Sequence, residues 1–181
     1  MPPNRANWTH PDLQALAGLF FGECDSLGEF SEVAPESVPP PWLGLLAHTG
    51  HMTVTLENWH ACPVSVEVLD KRITPTHYAR KIRLRRQSDN QVVQFGIVRL
   101  GTSLLPRQAM QQIESESVPL GRVLIEHNVM RTVKLMSTWH IRSGPALREM
   151  LEQPDLAECY GRTALIYANG LPAVELLEIV A

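Results

Sequence analysis

Apolar and polar residues alternate with period two through the middle of this chain, strand-like apolar runs close it, and short helical patterns fill the gaps. Val64-Ser65-Val66-Glu67-Val68-Leu69 alternates directly after Pro63, so a strand is expected there. A turn around Pro75 leads to a second alternating run over 78–86. Ser88-Asp89-Asn90 then folds the chain back into 92–100, giving a hairpin. A second hairpin is expected from 162–167 and 173–180 around Ala168-Asn169-Gly170, because Asn-Gly favours the tight turn that joins twisted strands. Between the hairpins, 129–141 is an apolar piece.

Helical spacing shows first at Leu13, Leu16, Ala17, Phe20 and Phe21, with Thr9 as the expected N-cap and Pro11 and Asp12 in the first turn. Residues 1–8 lack an anchor. The acidic, Pro-rich stretch 24–41 ends in Val38-Pro39-Pro40-Pro41 and reads as a surface linker. Two short helices broken near Gly50 are expected over 42–59, and 106–116 has a helical composition. Ser143-Gly144-Pro145 opens a helix over 146–151, with Pro154 beyond its end. Pro119-Leu120-Gly121-Arg122 separates a polar run from an apolar one. Pro119 cannot continue a helix, and Gly121 lets the backbone approach a neighbour or ligand closely. Hairpins joined by helical segments define an α+β domain, an antiparallel sheet with helices packed on it. The expected division is an N-terminal helix and linker over 1–41 and a globular domain over 42–181.

Composition changes this picture little. A chain of 181 residues with 44% hydrophobic content suits one globular core. A net charge of −3 favours neither nucleic acid nor a strongly acidic partner. Cys24, Cys62 and Cys159 are far apart and odd in number, as expected of reduced thiols in the cytoplasm. No apolar run is long enough to span a membrane.

Charge placement is more informative. In the run from Tyr78, Arg80 shares a face with Ile82 and Leu84, while Lys81, Arg83 and Arg85 form an opposite, solvated face. An Arg heading a buried stripe needs a partner, because its guanidinium stays charged. That partner is either a structural ion pair or the carboxylate of a ligand held in bidentate geometry. The last strand places Glu175 on one face and Glu178 on the other, each among apolar residues. A carboxylic acid in such surroundings favours its protonated form and can donate a hydrogen bond, unless a Lys or Arg pairs with it. His48, His51, His60 and Cys62 miss the usual zinc spacings, so no metal is expected. The basic run 80–86 lacks interleaved aromatics and is explained by strand alternation, so no nucleic acid is expected either.

Taken together, His51-Met52-Thr53, Tyr78-Ala79-Arg80, Pro119-Leu120-Gly121-Arg122, Tyr160-Gly161-Arg162 and Gly170-Leu171-Pro172 leading to Leu177-Glu178-Ile179 resemble the chorismate lyase family. The resemblance runs from residue 42 to the end, roughly three quarters of the chain. It implies an antiparallel α+β domain with a buried site under helical flaps, acting as a monomer on chorismate. The implied products are 4-hydroxybenzoate and pyruvate, formed without cofactor or metal. The implied binding positions are the backbone at Met52 and Leu120 and the side chains of Arg80 and Glu178, with Arg80 and Glu178 as the catalytic pair. His51 departs from the small serine of better-known members, and Glu175 competes with Glu178. By this reading Arg80 forks onto the ring carboxylate, Glu178 bonds the ring hydroxyl and Arg122 is structural. Two alternatives remain: a non-catalytic module of the same fold binding an aromatic carboxylate, and a lyase giving another hydroxybenzoate isomer. A regulator's effector domain would follow a winged-helix domain, for which the first 40 residues are too few and too Pro-rich.

Overall fold

Both expected hairpins form, and they meet edge to edge within one sheet. A computed structural model of the chain describes residues 11–22 and 24–181. In chain order the elements are α1 (Leu13–Phe21), β1 (Gly28–Val33), α2 (Trp42–Leu46), α3 (Met52–His60), β2 (Val64–Ile73), β3 (His77–Arg86) and β4 (Val92–Gly101). They continue with α4 (Arg107–Glu114), α5 (Leu120–Glu126), β5 (Arg131–Ser143), α6 (Pro145–Leu151), β6 (Glu158–Ala168) and β7 (Leu171–Val180). The seven strands lie in the order β1-β5-β6-β7-β4-β3-β2, and every neighbouring pair is antiparallel. The expected α+β class, with helices packed on an antiparallel sheet, is the observed one.

Helices cover both faces of the sheet. Leu16 and Ala17 of α1 and Leu147 and Leu151 of α6 join Phe95, Ile97, Leu177 and Ile179 in one core. On the other face α4 and α5 bury Val98, Leu100, Val174 and Leu176, while α2 and α3 bury Ile82, Leu84 and Val180. This two-sided burial explains why β7 is apolar at almost every position rather than at every second one.

Three sequence expectations need correction. The stretch 24–41 is not all surface linker: β1 pairs along β5, with Phe30 opposite Ile141 and Glu32 opposite Trp139. Its entry needs glycine, since Gly28 has φ +133° and a Cβ there would lie 2.1 Å from the Arg142 carbonyl oxygen. Its exit is tied by Thr138 Oγ1, which donates to the Val33 carbonyl at 2.6 Å.

The N-cap of α1 is Asp12, whose Oδ1 accepts from the amides of Gln14 and Ala15; Thr9 lies outside the described residues. Finally, the basic face of β3 is covered rather than solvated. Lys81 Nζ stands 4.7 Å from the Phe21 ring centre, and Arg83 donates to the carbonyls of Met150 and Glu149. Arg85 pairs with Glu67 at 2.7 Å and Glu152 at 2.6 Å, so the charges crossing beneath α1 and α6 are matched. Among the described residues no helix is long and apolar enough to cross a membrane.

Candidate functional site

The face of the sheet beneath α3 and α5 carries a small, partly open cavity. The central strands form its floor, and the first turns of α3 and α5 form its roof. Pairing brings the two candidate side chains together: Arg80 on β3 is opposite Val98 of β4, and Glu178 on β7 is opposite Gly96 of the same strand. Alternation turns Arg80, Val98, Gly96 and Glu178 to one face, and all four line the cavity.

Arg80 is 1% exposed. Its Nη1 donates to the Ile113 carbonyl at 3.2 Å, while its buried Nε has no partner. Among the described residues no carboxylate reaches it as a salt bridge; Glu116, whose field favours its charge, is bonded to Lys71. Burial pulls its pKa below the usual arginine value, opposed by Tyr78 and then Glu116. A guanidinium nevertheless stays protonated, so the cavity wall presents a cation without a counter-ion.

Glu178 is in a different situation. Arg162 of β6, fully buried, donates from Nε to Glu178 Oε2 at 2.7 Å. Its Nη1 reaches the His48 carbonyl at 2.8 Å, and its Nη2 reaches the Gly50 carbonyl at 3.2 Å. Arg162 thus fastens the α2–α3 connection to the sheet and balances Glu178. The image of a carboxylic acid isolated among apolar groups does not describe Glu178. Glu175 points to the other face of the sheet, where Arg99 forks onto it. Only Glu178 of the two competing carboxylates lines the cavity.

Met52 and Leu120 are the first residues of α3 and α5, and both line the cavity. Neither helix has a side-chain N-cap, and first-turn amides have no acceptor within their own helix. Gly121 holds the two helices close: a Cβ there would lie 3.1 Å from Thr53 Oγ1 and 3.2 Å from His51 Cβ. Arg122 points away to pair with Glu57 of α3. His51 lines the cavity and also a shallow outer depression, and its Nε2 accepts from Arg131. Burial and then the Arg131 charge lower its pKa to about 4.

The residues weighed as metal ligands have separate partners. His48 meets the Leu45 carbonyl, His51 meets Arg131, and Cys62 donates to the Pro63 carbonyl. Among the described residues no group of three His, Cys, Asp or Glu is arranged for a metal.

Two lining residues escaped the sequence reading. Arg162 was visible only as part of a short motif. Gln94 went unnoticed, although it heads the stripe Gln94, Gly96, Val98 on β4 as Arg80 does on β3. It is 3% exposed, and its Oε1 is buried without a partner.

The fold recurs among solved structures. PhnF from Mycobacterium smegmatis superposes with a TM-score of 0.54 at 8% identity, over 74% of this chain and 64% of that one. The effector domain of the same protein also gives 0.54 at 8% identity, over 72% of this chain and 88% of the domain. This chain therefore spans less than two thirds of full-length PhnF and most of its effector domain. At such identity the likeness establishes the fold. No family model matches the chain, and no curated protein matches it in sequence. The expectation of an enzyme, a chorismate lyase, is corrected at this point. The structures that superpose here are PhnF and its effector domain rather than a lyase, and the supposed acid Glu178 is committed to Arg162.

Proposed function

We propose that this chain is a small-molecule binding module whose cavity takes an aromatic carboxylate and releases it unchanged. One observation carries the reading: Arg80 is a buried cation at the cavity wall whose Nε has no partner. Leaving a charged donor desolvated is costly, and a ligand carboxylate accepting from the guanidinium edge removes that cost. Ile82, Val98 and Leu176 beside it offer an apolar surface that suits a ring. The amides at Met52 and Leu120 are neutral donors in the roof, and Glu178 is a negative wall that turns the ligand's carboxylate towards Arg80. A neighbour named as an effector domain is in keeping with this reading.

Calorimetric titration with benzoate and its hydroxylated derivatives tests it. Binding in the wild type and a loss of at least about a hundredfold in Arg80→Ala are expected, from about 3 kcal/mol for a buried charged hydrogen bond. Equal affinity in a folded Arg80→Ala protein refutes it.

A further inference from the structure

We infer that Gln94 reads the end of the ligand remote from its carboxylate, selecting a ring that bears a hydroxyl there; this rests on the carboxylate-binding reading of Arg80. Gln94 and Arg80 are buried residues of the same cavity floor, each with an unpartnered polar atom. Arg80 pairs with Val98 and Gln94 with Leu84, so the two are four residues apart along adjacent strands, roughly 13 Å in the strand direction. Both side chains line the same cavity, and a gap of that order is spanned by one substituted ring with a hydrogen bond at each end.

Between them lie Ile82 and Gly96, opposite one another in the register. Gly96 leaves room for the Gln94 amide beside Ile82: a Cβ there would approach Gln94 Nε2 to 3.3 Å and the Leu177 carbonyl oxygen to 3.2 Å. The floor therefore runs cation, apolar shelf, amide. A benzoate lying on the shelf with its carboxylate on Arg80 directs its far edge at Gln94. A hydroxyl suits that amide in either orientation, because it donates to Oε1 and accepts from Nε2. A methyl group of similar size leaves the amide unsatisfied. The sequence carries the same signal for Gln94 as for Arg80, one polar residue heading an apolar inner stripe.

The test compares 4-hydroxybenzoate, 3-hydroxybenzoate, 4-methylbenzoate and benzoate by calorimetric titration of the wild type, Gln94→Leu and Glu178→Gln. Wild type is expected to bind a hydroxylated ligand about tenfold or more tightly than 4-methylbenzoate. In Gln94→Leu that preference disappears while 4-methylbenzoate still binds. The ligand-free variant is expected to melt higher than wild type, because an unsatisfied buried amide has been replaced by an apolar side chain. A hydroxyl preference that survives in Gln94→Leu overturns the inference, as does one lost only in Glu178→Gln, which assigns the hydroxyl to Glu178. A Gln94→Leu protein that melts lower or fails to fold also overturns it, since Gln94 then has a structural partner. If no benzoate binds the wild type, the Arg80 reading fails first and takes this one with it.

Discussion

Arg162 and Glu178 face each other across the β6–β7 ladder, both buried and joined at 2.7 Å. Arg162 spends its remaining donors on backbone carbonyls between Leu46 and Gly50. The pair is therefore the joint between sheet and roof. Removing one partner leaves a buried charge behind, so Arg162→Met is expected to cost about 3–5 kcal/mol in urea unfolding. Replacing both, in Arg162→Met with Glu178→Leu, is expected to cost clearly less than the two single changes added together. A purely additive double mutant would show that the two charges do not depend on each other.

Acid sensitivity has an identifiable source in His51. Its pKa is lowered from 6.5 to about 4 by burial first and then by Arg131, with Glu178 opposing and Arg162 reinforcing the shift. Between those pH values the unfolded chain binds a proton that the folded chain refuses. Stability must then fall as pH drops from about 6.5 towards 4, and this contribution levels off below that. His48 is lowered too, by burial and then Arg162, and adds to the same slope. The expected result is a flatter stability profile in His51→Gln than in wild type over this window, followed by urea midpoints. A slope unchanged by the substitution would place the acid sensitivity elsewhere.

The edge strand β1 gives a third test. Gly28 enters it at φ +133°, with the Arg142 carbonyl oxygen where a Cβ would stand. No side chain fits without moving backbone, so Gly28→Ala is expected to undock the strand rather than deform it locally. Hydrogen exchange should quicken along β1 and the facing edge of β5, at Phe30 and Ile141 among others, while β3, β4 and β7 keep their protection. Unchanged protection in β1 would mean that the strand tolerates the shift.

How much of this was readable from the chain depends on what signals each element. The hairpins of β3 with β4 and β6 with β7 announce themselves through alternation and an Asn-Gly turn, which are local properties. β1 does not. Gly28-Glu29-Phe30-Ser31-Glu32-Val33 is short and mostly polar because an edge strand buries little, and what holds it in place is β5, over a hundred residues away. Arg83 and Arg85 appeared solvated by the same blindness: the helix ends that receive them, at Met150 and Glu152, are remote in sequence. Within the site, Arg80 stood out as a lone charge in an apolar stripe. Glu178 stood out likewise, but not its pairing with Arg162, which depends on strand register. The fold was thus more legible than the chemistry: catalysis was expected from the resemblance of short motifs, whereas the partner of Glu178 is fixed by the register of β6 against β7.

Two glycines inside helices carry opposite expectations. Gly18, on the exposed side of α1, has no atom within 4 Å of where a Cβ would be. Alanine there removes only backbone freedom from the unfolded chain and should stabilise the protein by about 0.5–1 kcal/mol. Gly121 in α5 enjoys the same helical gain, but its Cβ would press on Thr53 Oγ1 at 3.1 Å and His51 Cβ at 3.2 Å. Both neighbours belong to the start of α3, and overpacking of that kind typically costs about 1–3 kcal/mol. The gain and the cost oppose each other, so Gly121→Ala should be neutral to destabilising and separated from Gly18→Ala by about 1–3 kcal/mol in urea unfolding. If Gly121→Ala proves as stabilising as Gly18→Ala, the two helices give way freely and the roof is not held by their contact.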